Sequence, residues 1–232
     1  MFIRIVPLIA GLLPIVIVAA SYLISLSAGH VPRCIPLLSG CTSISATGRH
    51  PPASYLFKAG MLPEAVILVV YWLLAVAWLR SLERCAGHSA QSGRLIATLG
   101  IAGSLFLILY VSFLGSQEPF YEFMRRSGVY LYFSFTIVAQ ILLARAVLGL
   151  ATTAGRLLKI TRIQLGLSLL PFGLGALNLL LKSVLVDSDA AENTIEWVVA
   201  LQMQLYVLMS FFAWRQTRLT ARFEVSNEQV GL

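Results

Sequence analysis

Six long apolar runs, separated by polar or Pro/Gly-rich stretches, organise the 232-residue chain. They lie at about 5–27, 61–79, 95–114, 129–148, 163–185 and 195–214. Each approaches the roughly 20 residues that a helix needs to cross a hydrocarbon core of about 30 Å. The first is about 23 residues long, longer than the 7–15 usual for the apolar region of a signal peptide, so it reads as a retained anchor. Pro7 and Pro14 are expected to bend its early part, and Pro63 suits the first turn of the second span. The pattern predicts an all-α fold. One integral membrane domain over 1–232 forms a polytopic bundle of six transmembrane helices, with a polar tail at 215–232. Residues 28–60 form the first extracytoplasmic loop; its four prolines (Pro32, Pro36, Pro51 and Pro52) and hydroxyl residues cannot cross lipid, where its backbone groups would stay unsatisfied.

Composition sharpens this picture. Only 12% of residues are charged and 58% are hydrophobic, with a mean hydropathy of +0.84. An ordinary soluble enzyme carries about 25% charged residues and is excluded. The net charge of +7 is read as topology, not as a nucleic-acid signal. With a cytoplasmic N-terminus, 11 of the 17 basic residues fall inside and 6 outside, while 7 of the 10 acids fall outside. Both termini are therefore expected in the cytoplasm. Tyr55, Tyr121, Tyr130 and Tyr132 near outer ends, and Trp214 near an inner end, suit interfacial belts.

That orientation puts Cys34 and Cys41 on the oxidising side, where a disulfide is reasonable and two unpaired thiols are the alternative; Cys85 faces the reducing side. The rest of the loop reads Ser43-Ile44-Ser45-Ala46-Thr47-Gly48-Arg49-His50-Pro51-Pro52-Ala53, then Phe57. Gly48 and the proline pair predict a turn followed by an extended stretch, and the hydroxyls can satisfy local backbone groups. The loop is expected to be a structured cap on the outer mouth of the bundle.

This stretch resembles the signature of the FRAG/DRAM/Sfk family, S-I-S-x-T-G-x-x-P-P-E followed by Phe. The family includes damage-regulated autophagy modulators and Golgi proteins that remodel the lipid of GPI anchors. Phe113-Leu114-Gly115, Tyr121, Arg125-Arg126 and Gly128 look like bacterial members, which would place the protein in an inner membrane. The resemblance implies a six-helix membrane fold with this motif in the first outer loop, and a link to lipid handling. It implies no single shared reaction. Ala53 stands where the family often has Glu; Glu64, eleven residues later, is a candidate to stand in for it.

The remaining polar residues each carry two readings. Glu64, placed in the first turn of the second span, suits the helix dipole; alternatively it is the acidic wall of a headgroup site beside Arg49 or Lys58. Asn178 and Lys182 share a face of the fifth span. Lys182 can snorkel, or pair with Glu196 or Asp187 while Asn178 lines a polar cavity. Glu118, Glu122, Arg125 and Arg126 have the spacing of a short interfacial helix, and the two arginines could clamp a lipid phosphate. Gln140, Gln202 and Gln204 are expected to bond between helices. The inner basic residues, Arg156, Lys159 and Arg162 among them, follow from topology and would also attract anionic lipid.

Catalytic signatures are scarce. His30 and His50 are expected outside and His88 inside, so they cannot share a zinc site. No His-x-x-x-His, Cys-x-x-Cys, Gly-x-Ser-x-Gly or Walker pattern occurs, and no metal or cofactor is expected. The absence of acids at the centres of spans 1, 3 and 4 argues against an ion-coupled pump. The leading expectation is a lipid-recognising protein with a site at Arg49, His50, Glu64, Arg125, Arg126, Asn178 and Lys182. A lipid-modifying enzyme using Ser45 or Thr47 with His50 is one alternative; a scaffold for partner membrane proteins is the other.

Overall fold

The computed structural model describes residues 2–87, 93–150, 154–184 and 189–220, with backbone alone at 2 and 177–184. His88 lies outside the described residues. The helices are α1 (Val6–Ser27), α2 (Pro36–Ser39), α3 (Ile44–Thr47), α4 (Ala53–Cys85), α5 (Gly93–Ser112), α6 (Pro119–Leu148), α7 (Gly155–Val184) and α8 (Asp189–Gln216). Six of them are long and apolar enough to cross a membrane. Each long helix packs on its neighbour in sequence and α1 closes against α8, so the six form a ring. The short α2 and α3 lie over one end of it, against α8 and α1.

The outward faces carry Ile9, Val16, Leu23, Val66, Leu73, Leu105 and Phe172, all exposed. The inward faces combine large apolar groups with buried Ser, Thr, Gln and Glu. Lipid is as apolar as leucine, so helices associate through close packing of small residues and polar contacts. Both devices are present. A Cβ on Gly11 would meet the Leu208 side chain, and one on Gly128 would fall 2.7 Å from the Tyr110 backbone nitrogen. Gln140 Nε2 donates to the Met203 carbonyl at 3.2 Å, and Tyr206 Oη returns a bond to the Gln140 carbonyl at 2.8 Å. Gln164 Nε2 reaches Ser210 Oγ at 3.0 Å, which also meets Tyr71 Oη at 2.8 Å. These bonds tie α4, α6 and α7 to α8.

The two ends of the described chain meet at the end of the ring opposite the loop. Arg4 Nε donates to the Leu219 carbonyl at 2.8 Å, and Trp78 Nε1 to Thr217 Oγ1 at 2.9 Å.

Several local expectations are corrected. Helix α4 starts at Ala53, eight residues before the expected span, so Pro63 is interior and no extended stretch follows the proline pair. The stripe Ala53, Phe57, Met61, Glu64, Ala65 and Leu68 is buried throughout; helical periodicity begins before the hydropathy rises. Residues 119–128 are not a separate interfacial helix but the first turns of α6. Pro7 lies in the opening turn of α1, leaving only Pro14 inside it. Trp214 and Tyr132 are core residues at 0% and 6% exposure, whereas Tyr55 and Tyr130 are each 70% exposed. Trp214 instead stacks on Tyr71 with ring centroids 5.8 Å apart.

Candidate functional site at the loop end of the bundle

The loop is built residue by residue to seat on the helices. Cys34 and Cys41 form a disulfide across Cα atoms 6.6 Å apart, closing a loop that contains α2. Tyr22 Oη accepts from the Cys34 amide at 3.0 Å and donates to its carbonyl at 2.8 Å, holding this loop to α1. On the other side Asn193 Nδ2 and Trp197 Nε1 donate to the carbonyls of Gly40 and Thr42, each at 2.8 Å. Gly40 has φ +59° and its Cα faces the Ala190 carbonyl, so no side chain fits there.

The motif residues then divide the work. Ser43 caps α3 by accepting the Ala46 amide at 3.1 Å. Thr47 Oγ1 donates to the Ile44 carbonyl at 2.7 Å inside the same turn. Ser45 Oγ bonds Tyr110 Oη of α5 at 2.9 Å. Gly48 lies against the Phe57 side chain, where a Cβ would fall 2.5 Å from Cγ. Gly115, at φ +91°, brings its backbone to the Arg49 carbonyl, which a Cβ would meet at 2.7 Å. The Gly115 contact joins the two sequence segments on which the family resemblance rests, 43–57 and 113–128.

Two cavities open beneath this cap. The first, about 610 Å³, is the more polar, with a lining about half apolar: Ser43, Ser45 and Arg49 come from the loop, Arg125 and Arg126 from α6, and Glu192, Asn193 and Glu196 from α8. The second, about 210 Å³, is almost wholly apolar and runs between α1, α4, α5, α6 and α8, past Pro14, Val18, Phe57, Met61, Leu107 and Met203. Val129, Phe133 and Glu196 line both, so the two share a wall. Ser45 lines the polar cavity and its partner Tyr110 the apolar one, so their bond crosses the divide.

Two of the three arginines that line the polar cavity are paired with Glu122, which lies outside its lining. Arg126 Nη2 lies 2.6 Å and Arg125 Nη2 3.5 Å from Glu122 Oε1. The Arg125 side chain is only 15% exposed against 67% for Arg126, so Arg125 is the one aimed inward. Glu196 accepts the backbone amides of Ile44 and Ser45, and the charges of Arg125 and Arg49 act on it. It is the acidic group that sequence reasoning weighed only as a partner for Lys182. Its signal was an acid four residues after Glu192, at the head of an otherwise apolar span.

Of the expected site residues, the structure brings together Arg49, Arg125 and Arg126. His50 lines neither cavity; its ring lies 4.9 Å from that of His30, whose Nε2 bonds the Pro51 carbonyl. With Ser45 on Tyr110 and Thr47 on its own turn, no Ser–His or Thr–His dyad forms there. Glu64 is fully buried about 16 Å along α4 from its start, by the helical rise of 1.5 Å; it is neither a first-turn acid nor a wall of the polar cavity. Its two oxygens have no hydrogen-bond partner among the described residues. It lies near Tyr132, beside which Gln204 also sits, and both of those line the apolar cavity. Gln202 is buried with neither amide atom bonded among the described residues, unlike Gln140. Asn178 and Lys182 lie on α7, and their side chains, like Asp187, fall outside the described residues. Among the described residues, no three His, Cys, Asp or Glu side chains cluster to hold a metal.

The model of the Frag1/DRAM/Sfk1/Cwh43P N-terminal domain family matches residues 2–217. The chain belongs to this family. The match takes in all six long helices and the capped loop end, so the Frag1/DRAM/Sfk1 relationship covers both cavities. No curated protein and no solved structure matches the chain.

Proposed function

We propose that this protein recognises membrane phospholipid at an outer-leaflet site capped by its first loop. The observation that carries the reading is the shared wall between an arginine-lined polar cavity and an apolar one inside the bundle. A phospholipid has the same two-part chemistry, with a phosphate at the head and hydrocarbon behind it. The guanidinium of Arg125, mostly withdrawn from solvent, with Arg49 beside it, suits a phosphate because its planar fork can donate two bonds. The polar cavity lies within the roughly 300–1,000 Å³ of small-molecule sites.

In this reading both termini are cytoplasmic and the cap faces outward, a sidedness supported by the excess of basic residues, 11 against 6, on the side of the termini. The disulfide fits the same side. The test is mass spectrometry of lipids that co-purify with the full chain in mild detergent. The wild type should carry enriched phospholipid, and the Arg49→Ala/Arg125→Ala variant should lose it. No enrichment, or enrichment unchanged in the variant, would sink the reading.

A further inference from the structure

Resting on that reading, we infer that the headgroup is zwitterionic and carries a primary ammonium, with Glu196 as its acceptor. The argument starts from charge. A site for a purely anionic headgroup would be expected to keep its guanidiniums unopposed, so that their field falls on the ligand. Here Arg125 and Arg126 are already opposed by Glu122, and two further carboxylates, Glu192 and Glu196, line the same cavity as Arg49. Three guanidiniums and two carboxylates line the cavity, and Glu122, outside the lining, offsets the third positive charge. With Glu122 counted the site is close to neutral overall, but its lining is divided, with cationic groups on the loop and α6 and the lining acids on α8. A phosphate joined to an ammonium by a two-carbon link is likewise neutral overall and divided.

Position selects Glu196 from the acids. It is the carboxylate that borders both cavities, so a head group held there leaves its hydrocarbon in reach of the apolar one. The amides of Ile44 and Ser45 anchor it, yet its two oxygens offer more acceptor sites than two amides fill. It therefore keeps capacity for a charge-assisted bond from a ligand N–H. An ammonium donates three such bonds, and the neighbouring Ser43 and Ser45 hydroxyls can accept others. A quaternary ammonium has no N–H and would lose them. The apolar cavity commits the ligand to a lipid and not to a free phosphoryl amine.

The experiment is binding to the full chain in detergent, measured by native mass spectrometry with lipids of matched acyl chains. Phosphatidylethanolamine should bind about tenfold tighter than its N-acetyl derivative or phosphatidylglycerol, the difference set by one charge-assisted bond. Soluble phosphoethanolamine should bind far more weakly than the lipid. Glu196→Gln keeps an oxygen for the Ile44 and Ser45 amides, and should bind phosphatidylethanolamine and phosphatidylglycerol alike. Equal binding of phosphatidylethanolamine and its N-acetyl derivative by the wild type would overturn the inference whatever the variant does. So would a preference that survives Glu196→Gln. Those outcomes leave phospholipid recognition standing, whereas failure to bind any of the lipids removes both.

Discussion

Ser45 Oγ of the first loop and Tyr110 Oη of α5 sit 2.9 Å apart, joining the cap to the bundle across the boundary between the two cavities. Tyr110 is 4% exposed, so its hydroxyl has little water to fall back on. Removing Ser45 alone leaves a buried hydroxyl unpaired, while removing both hydroxyls does not. Ser45→Ala should therefore destabilise by about 1–3 kcal/mol, and Ser45→Ala/Tyr110→Phe by less than the sum of the single changes. Melting of the four proteins in detergent completes the cycle; strict additivity would contradict the coupling.

Gly115 makes a second such claim. Its positive φ and its approach to the Arg49 carbonyl leave no room for a methyl group. Gly115→Ala should lower the melting temperature and displace Arg49, weakening lipid binding as well. The control is Gly166→Ala on α7, where nothing lies within 4 Å of the added carbon. That change should be neutral or stabilising by up to about 1 kcal/mol, the helix-propensity difference.

Opening the Cys34–Cys41 bridge frees a short loop whose ends are seven residues apart. Chain entropy alone puts the loss at about 2.5 kcal/mol for a loop of this size. Melting with and without reductant reads it directly, and Cys34→Ser/Cys41→Ser should match the reduced wild type.

Glu64 is the buried group whose removal should help. Both oxygens lack hydrogen-bond partners among the described residues, and such a group costs about 1–3 kcal/mol. Glu64→Met keeps the volume without the polar atoms, so its melting temperature should rise by a few degrees. Glu64→Ala instead leaves a cavity in the stripe beside Met61 and Leu68, and should lower it. A fall for Glu64→Met would show that the carboxyl is held by something other than the described side chains.

Sidedness has its own probe. Cys85 is a free, exposed thiol at the terminal end of α4. A membrane-impermeant maleimide should label it only after cells are permeabilised. Labelling of intact cells would reverse the proposed orientation.

Hydropathy and spacing predicted the six spans and a structured cap in the first loop, and the compartment rule made the pairing of Cys34 with Cys41 reasonable. Each follows from a rule acting within one segment: the length of a lipid-crossing helix, the cost of unsatisfied backbone in lipid, the redox state of one compartment. The basic half of the site, Arg49 with Arg125 and Arg126, was also legible, because a motif and an arginine doublet stand out in a sequence so poor in charge. Tertiary structure decided what those rules cannot reach. Glu64 looked like a first-turn acid because hydropathy rises only at Met61, yet the buried stripe from Ala53 makes the helix start earlier and carries Glu64 inside. Trp214 and Tyr132 looked interfacial by position but face the ring's interior. Glu196 became a wall of both cavities only because Asn193 and Trp197 clamp the loop onto α8, setting Ile44 and Ser45 against it. A residue's place along the chain says how deep it sits; which face of the helix meets which neighbour depends on the packing of the whole ring.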